Sequence, residues 1–509
     1  MDIYRELQSE ITAEISKIGQ STNAEKRIAL IEIIRALDEI FTFASFVIEK
    51  NSTDDKSVNT RKLFDHYVIG WHICVCLFMD NSINRIGFPL FPSTEESMMW
   101  THSCLMSAGN IGLCQRLLAL QKTNVVQLHY ESPDKIFAEI ASQYRGLEYL
   151  ETLDFDWWRD KKMNAPIPAA IDNLLPLVSR QLSDVVQPWK THFIQYGSTP
   201  EIDDVYQYEG SQYIAGLCGF DYFDDNVTFG NIRFSAYKNI LTCLIGLTLK
   251  HRDCSFALLK QSSQMHLRNL LSLPFRLDDL SASIADYLRY PCEIVNSVLE
   301  TVTLNLNNVN RHSRVPGAAP APLVSIGDGF VLRSITGILS NPLYFMIQEL
   351  KARYPEDFFS AVNERERTFR EELNGLFVNT VNIICSESAV TLKQSGKIMT
   401  DIDAMIFDKD SGTLVVIQLK SSDDFGTSME QRYSRSKNFY ETSVKWIDKV
   451  EGWLSSNDKN VLLNHFSPPL DERLRVKTVN LMIIGRNYAH FSDQLPDCDF
   501  SRAFPHLKG

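Results

Sequence analysis

One stretch, Met399–Ser422 (MTDIDAMIFDKDSGTLVVIQLKSS), limits what this chain can fold into more than any other. Two apolar-rich runs, Ile402–Phe407 and Thr413–Lys420, flank a polar turn, Asp408–Gly412. Val, Ile, Leu and Phe alternate with polar positions and a glycine sits in the turn, which predicts a β-hairpin. Side chains alternate faces along a strand, so Asp401, Asp403 and Met405 are expected on one face. On the return strand Val416, Gln418 and Lys420 share a face, and Val415, Ile417 and Leu419 take the other. Pairing Asp403 with Gln418–Lys420 would gather a carboxylate, an amide oxygen and an ammonium at one end of the hairpin. Magnesium chemistry on phosphodiesters uses that set: hard oxygen ligands for the ion, and a cation near the attacking water or leaving oxygen.

The order Asp-Ile-Asp, hairpin turn, apolar strand, Gln-x-Lys resembles the core of the PD-(D/E)xK, restriction-endonuclease-like superfamily. Within it the pattern is similar to the Mrr-type branch, in which Gln replaces the acidic residue of the second half-motif. The resemblance covers roughly residues 356–486 and implies a mixed sheet flanked by helices. It also implies that Asp403 is the first-strand metal ligand, Gln418 the second ligand position and Lys420 the lysine. The plain alternative is a surface hairpin with solvated charges. Against it, Gln418 and Lys420 end a strongly apolar strand, where a polar pair is unexpected unless it is used.

At 509 residues the chain is too long for one core, and two or more domains are expected. The N-terminus, MDIYRELQSEITAEI, is polar and helical, without the apolar core of a signal peptide. No apolar run approaches the ~20 residues of a membrane span. Ten scattered cysteines then read as reduced thiols of a cytoplasmic protein. His72-Ile-Cys74-Val-Cys76 lacks the paired spacing of zinc sites and reads as core packing. The net charge of −12 argues against a protein that coats nucleic acid nonspecifically. Acidic residues outnumber basic ones on both sides of residue 355, so any basic groups that serve a nuclease must cluster at its cleft.

Along the chain, residues 1–306 read as a mainly helical region, with a subdivision near 200–235. Helices are expected over residues 1–50 (two), then Arg61–Met79, Glu95–Leu120, Pro133–Leu150, Ala169–Phe193, Tyr237–Lys250, Ser255–Leu273 and Leu277–Leu306. A small hairpin is expected within Tyr208–Phe234, and Trp157-Trp158 reads as packing. There is no internal period, and neither a Walker phosphate loop nor a GxSxG or HExxH motif. Residues 307–322, NNVNRHSRVPGAAPAP, read as an exposed linker. Residues 323–509 are then the nuclease-like domain, with Leu323–Ser334 as strand–turn–strand and Leu339–Tyr354 as a helix. Its core starts with a helix near Phe358, on which Val362, Glu366, Phe369, Leu373, Leu376, Phe377 and Thr380 fall on one stripe.

Glu366 is a carboxylate on an otherwise apolar stripe, which asks for a partner. In the resembled family a first-helix Glu lies near the metal and commonly follows a Phe. Here Arg370 follows Phe369, so the role is transferred to Glu366, one turn earlier, with Glu371 or Glu372 as fallback. An ion pair between Glu366 and Arg370 is the structural alternative. A strand at Val381–Cys385, the hairpin, a long helix at about Met429–Ser455 and a buried strand at Lys477–Gly485 complete an α-β-β-β-α-β order. On the long helix Tyr433, Phe439, Tyr440, Val444, Ile447, Val450 and Leu454 form the expected packing stripe. Arg432, Arg435, Lys437 and Tyr433 are nucleic-acid contact candidates, weighed against a solvated helix face.

The fold class expected is therefore α + α/β: a large helical N-terminal region followed by a restriction-endonuclease-like mixed β-sheet flanked by helices. The function expected is a Mg²⁺- or Mn²⁺-dependent endonuclease hydrolysing DNA, with RNA as the other nucleic-acid substrate. Asp403, Gln418, Lys420 and Glu366 would be catalytic, and Asp403, Gln418, Glu366 and Asp401 would hold metal. By architectural analogy it would be a restriction or anti-phage effector whose helical region senses substrate or trigger. It would act as a homodimer or with an accessory protein, and not at a membrane. The rival expectation is a catalytically inactive nuclease-fold scaffold that binds nucleic acid or a protein partner.

Overall fold

The computed structural model describes residues 3–485 except 22–24, 49–53, 85, 88–89, 123, 125, 133–134, 141–166, 218–222, 315–319, 341, 421–428, 468–469 and 471–472. For residues 217 and 429–437 it describes the backbone alone. Trp157-Trp158 and the side chains of Arg432, Tyr433, Arg435 and Lys437 therefore lie outside the described residues.

The architecture is α + α/β. A helical body includes α1 (Ile3–Gln20), α2 (Lys26–Thr42), α3 (Asp55–Phe78), α4 (Glu95–Lys122), α5 (Pro200–Leu217) and α6 (Phe234–Gln261). Helix α2 is central: Leu30, Ile31, Ile33, Ile34 and Leu37 are fully buried, and so are Glu32, Arg35 and Asp38. A helix buried on every side must find partners for its charges, because an isolated ion out of water costs several kcal/mol. Arg35 Nη1 donates to Glu32 at 2.9 Å, and Asp38 accepts from Ser272 Oγ at 2.7 Å, Ser334 Oγ at 3.0 Å and the Thr336 N–H at 2.8 Å. Helices α3 and α4 pack backbone to backbone at Gly70, where a Cβ would sit 2.4 Å from the Gly109 nitrogen. No helix among the described residues is long and apolar enough to cross a membrane.

Several expected boundaries shift. Residues 135–140 are not helical: Val126–Ser132 and Lys135–Ile140 form an antiparallel ribbon; residues 141–150 of the expected helix lie outside the described residues. The helix expected over 169–193 ends at Val185, and Val186–Trp189 pairs with Phe193–Tyr196. The two helices expected over 237–273 are largely one, α6, because its apolar spacing runs through the Lys250–Asp253 charges. The hairpin expected within 208–234 is present as Thr228–Phe229 with Ile232–Arg233. Leu277–Leu306 divides into helices Leu277–Leu288 and Cys292–Thr301, broken by Arg289 in the left-handed region and by Pro291.

The linker and the strands after it belong to the helical body. Strands β1 (Pro274–Arg276), β2 (Thr303–Leu304), β3 (Leu323–Ser325) and β4 (Phe330–Arg333) form one sheet in the order β1-β4-β3-β2, with β2 and β3 parallel. Leu323 packs in one apolar core of the body, and Val324 and Leu332 pack in the other. Among the described residues of 307–322, several are packed into the body and do not form an exposed connector. Asn308, Val309, Ser313 and Ala321 are buried, and the His312 ring stacks on Phe345 at 3.8 Å. Buried Glu349, on α7 (Pro342–Arg353), accepts from His312 Nε2 at 2.8 Å and Arg353 Nε at 3.1 Å, and also from Arg311. These bonds hold its carboxyl down at about 2 against the pull of burial. Pro, Gly and Ala composition suggests a loop, but the described residues on either side of 315–319 pack into the body.

The join between the two regions is a helix, α8 (Pro355–Gly375). Its first half packs in the body through Phe358 and Ala361, with Phe358 edge-on to Phe223 at 5.5 Å. Its second half packs Phe369 and Leu373 on a second sheet with Ala404, Ile406, Ile417, Leu419 and Ile484. That sheet contains β5 (Ile383–Cys385), β8 (Ala404–Asp408), β9 (Thr413–Lys420) and β10 (Thr478–Gly485) in the order β5-β8-β9-β10. β5, β8 and β9 are antiparallel neighbours, and β10 joins β9 in parallel. The parallel step needs a crossover, and α9 (Met429–Ser456) supplies it. Met405, Phe407, Leu414 and Val416 point to the α9 side, where Phe439, Trp446, Val450 and Trp453 cover them. The sheet is thus buried on both faces, between α8 and α9. Trp446 and Trp453 join Phe439, Ile447, Val450 and Leu454 on the packing stripe of α9, and Tyr440 is not part of that core.

Between β5 and β8 the chain makes a separate ribbon, β6 (Val390–Gln394) with β7 (Lys397–Ile402). Its inner row, Val390, Leu392 and Ile402, joins the α9-side core.

Candidate active site

The hairpin forms as read. Ala404 faces Ile417 and Asp408 faces Thr413, so Asp403 is set opposite Gln418. The turn closes through Gly412 N–H to Asp408 O at 2.9 Å, with Gly412 at φ +74°, and Ser411 Oγ donates to the Asp408 carboxylate at 2.6 Å. By strand alternation from Val416, Gln418 and Lys420 fall on the α9 side of β9.

Asp403 is the centre of the site. It sits where the chain leaves the ribbon and enters β8, and it is 7 % exposed. Its backbone is held on both sides: its N–H donates to Ile417 O at 3.0 Å, and Arg370 Nη1 on α8 donates to its carbonyl at 3.0 Å. Its carboxylate accepts the Leu419 N–H at 2.7 Å and the Gln418 amide. Both bonds fall on Oδ2, which leaves Oδ1 without a hydrogen bond among the described residues. Because Gln418 spends its Nε2 on Asp403, its Oε1 is the atom left to face a cation.

Electrostatics tie four groups together. Burial pushes the Asp403 carboxyl up to about 6; the Leu419 N–H opposes this, the charge of Glu366 adds to it, and Lys420 and Gln418 oppose it. Burial likewise lowers the Lys420 ammonium below its usual range, against the pull of Asp403 and Glu366. A carboxyl near 6 beside a lysine with a lowered pKa is the kind of pair found where protons are exchanged near neutral pH.

Two expected members are placed differently. Glu366 is exposed and off the buried stripe, which runs Phe358, Ala361, Arg365, Phe369, Leu373. It reaches the site as a charge acting on Asp403 and Lys420. Arg370 bonds the Asp403 carbonyl and makes no ion pair with Glu366, so that structural alternative does not form. The fallbacks lie elsewhere: Glu371 pairs with Arg367 at 2.6 Å, and Glu372 lines a cleft with Asp224 and Lys238.

Asp401 does not share a face with Asp403. Ile402 packs toward α9 and so do Met405 and Phe407, so strict alternation breaks at the 402–403 bend. The Asp401 side chain is exposed on the ribbon, and its carbonyl accepts the Trp446 indole N–H at 2.8 Å. His72 and Cys74 are buried as read, with His72 Nε2 against Gln115 Oε1 at 2.8 Å, while Cys76 is exposed.

Sequence reasoning missed three parts of the site: Arg370, the Leu419 N–H and the pair Trp446/Trp453. The tryptophans stand seven apart, the same-face spacing of a helix, and that signal was available. No group of three or more His, Cys, Asp or Glu side chains that could hold a metal occurs among the described residues. What the hairpin end does gather is the Asp403 carboxylate and the Gln418 amide, with the charge of exposed Glu366 acting on Asp403. Set against known protein families, curated proteins and solved structures, the chain matches none.

Proposed function

We propose that residues 355–485 form a divalent-metal-dependent phosphodiesterase that hydrolyses DNA, and that the helical body is its recognition or regulatory part. The observation that carries this reading is the cross-strand apposition of Asp403 and Gln418 at the end of a buried hairpin, with Lys420 and Glu366 acting on the same carboxylate. The α-β-β-β-α-β order and the mixed sheet between two helices support it, being what the PD-(D/E)xK resemblance implies.

Asp403 Oδ1, Gln418 Oε1 and Glu366 would hold Mg²⁺ or Mn²⁺. Bound there, the ion would activate water and neutralise charge on the phosphoryl group. Lys420 orients the attacking water and steadies the developing charge. Arg370 and the Leu419 N–H hold the Asp403 carboxylate in place from the backbone side. A neutral Gln leaves the site with one negative charge fewer than an Asp or Glu version, so metal affinity depends more on the substrate phosphate.

The hydrogen bond from Gln418 to Asp403 is also what a non-catalytic nuclease-fold scaffold would keep, and that is the second reading. Supercoiled-plasmid cleavage with Mg²⁺ or Mn²⁺, wild type beside Asp403→Ala and Lys420→Ala, separates them. Metal-dependent nicking lost in both variants supports the enzyme. Absence of nicking together with Asp403-independent Mn²⁺ binding supports the scaffold.

A further inference from the structure

A cavity of about 260 Å³ opens in the helical body between α5, α6 and the helix Leu277–Leu288. Beside it α5 and α6 touch backbone to backbone: a Cβ on Gly246 would sit 2.6 Å from the Tyr206 carbonyl oxygen. The inner wall carries a lysine and an aspartate bound to each other. Lys250 Nζ, on a side chain 8 % exposed, donates to Asp203 Oδ1 at 2.7 Å and to Ser198 Oγ at 3.2 Å. Ser198 Oγ donates to the same Asp203 oxygen at 2.7 Å. An ammonium has three N–H donors and a carboxylate two oxygens. One Lys250 N–H and Asp203 Oδ2 therefore have no hydrogen bond among the described residues, and neither has the Gln207 amide on the same lining. Gly246, Leu247 and Ile284 form an apolar wall, and Tyr287, 43 % exposed, stands at the mouth.

We propose that this cavity binds a nucleobase, independently of the nuclease reading. Charge narrows the class first. Asp203 and Lys250 are the only charged residues on the described lining, and they neutralise each other, so the matching guest is uncharged. Hydrogen bonding narrows it further. An unused acceptor stands beside an unused donor, and their complement is a ring N–H or amino group next to a ring oxygen or nitrogen, the Watson–Crick edge of a base. A polyol would instead turn hydroxyls toward the Leu247 and Ile284 wall, where unpaired polar groups are costly. Shape agrees: the cavity holds the volume of about nine waters, room for one base with its sugar, and the Tyr287 ring offers a face on which a base stacks. A 5′ phosphate finds no free cation on this lining. The base can come from a free nucleoside or from an unpaired position of a strand, since the contacts are the same.

The test is calorimetric titration of the full chain with the four ribonucleosides, with ribose alone, and with the tightest nucleoside methylated at its Watson–Crick nitrogen. At least one nucleoside should bind, and its methylated form should bind at least tenfold more weakly, because methylation leaves the cavity's polar atoms unpaired. The 5′-monophosphate should bind no tighter than the nucleoside. Tyr287→Ala should weaken binding about tenfold through lost stacking, and Asp203→Asn at least as much. Asp286→Asn, exposed and off the lining, should leave affinity unchanged. Melting temperatures are read alongside; if Asp203→Asn unfolds, exposed Tyr287→Ala and the methylated nucleoside still decide. Binding of the nucleoside itself assigns a free ligand, whereas binding only of a single-stranded oligonucleotide, lost in Tyr287→Ala, assigns an unpaired base. No binding of any of these at millimolar concentration overturns the proposal. So do equal affinity for the methylated form, equal affinity for ribose, and affinity that Tyr287→Ala leaves untouched.

Discussion

The helical body and the C-terminal sheet both bury charge, and they treat it in opposite ways. In the body each of two buried acids is enclosed by donors: Asp38 takes three hydrogen bonds, and Glu349 is ringed by His312, Arg311 and Arg353. At the hairpin end Asp403 keeps one oxygen without a hydrogen bond among the described residues, beside a lysine whose pKa burial lowers. Complete satisfaction rigidifies a core, whereas partial satisfaction stores reactivity. Among these buried acids, Asp38 and Glu349 are thus tied into the core, and Asp403 is the one left with an oxygen to offer.

The contrast stands or falls first at Asp403. Asp403→Ala should lower metal-dependent plasmid cleavage by about 10⁴-fold or more, roughly 5 kcal/mol of transition-state stabilisation, with the fold retained by circular dichroism. An Asp403→Ala protein that still cuts would move the chemistry elsewhere.

A second, smaller contrast lies in acid stability. His251 is fully buried, between Tyr196 OH at 3.0 Å and Leu271 O at 3.0 Å, and burial drives it down to about 3. The unfolded chain therefore takes the proton first, and stability is lost as pH falls below about 6.5. The loss should be about 3 kcal/mol between about pH 6.5 and 4. His251→Gln should flatten that slope in urea titrations; an unchanged slope would place the acid sensitivity in other groups.

Asp403 has the opposite sign. Its folded-state value of about 6 lies above the ordinary 3.8, so its contribution is fullest below pH 3.8 and is lost as pH rises through 6. Asp403→Asn should accordingly stabilise the protein by about 2 kcal/mol at about pH 8 and by almost nothing near pH 4. Stabilisation that does not depend on pH would mean packing, not charge, is being relieved. The same titration predicts that cleavage by the wild type falls as pH drops through about 6, since a carboxylate must be ionised to hold a cation.

The smallest effect belongs to the ribbon's anchor. Trp446→Phe removes one indole donor from Asp401 O and should cost about 1 kcal/mol. Urea titration checks it, and an unchanged midpoint would mean that this bond carries no net stability.

How legible each region was follows from the range of its interactions. The hairpin could be read because strand alternation and turn chemistry are local: Asp408, Ser411 and Gly412 announce the loop, and Val415–Leu419 announce the strand. The bend at Ile402–Asp403 could not, because packing on α9 resets which way the chain faces, and this is why Asp401 was assigned to the wrong side. Glu366 was placed on the buried stripe although Arg365 occupies it; a helical stripe read one residue off leaves most apolar positions in place and misassigns the charged ones. Residues 307–322 carry the composition of a linker, and only the pairing of Leu323–Ser325 with Thr303–Leu304 shows otherwise.

Helix α8 leaves a mark on how the chain is made. Its first half is covered by residues synthesised earlier, but Phe369 and Leu373 are covered by strands made later, from Ala404 through Ile484. From Gly375 to Gly485 roughly 110 residues must follow, some 5–20 s of translation at ordinary rates. Through that interval the helix stands on a finished body with one apolar flank bare, a template awaiting its sheet. A chaperone that binds nascent apolar helices would find its target at that moment, and ribosome-stalled chains ending between 390 and 470 are where its capture should peak.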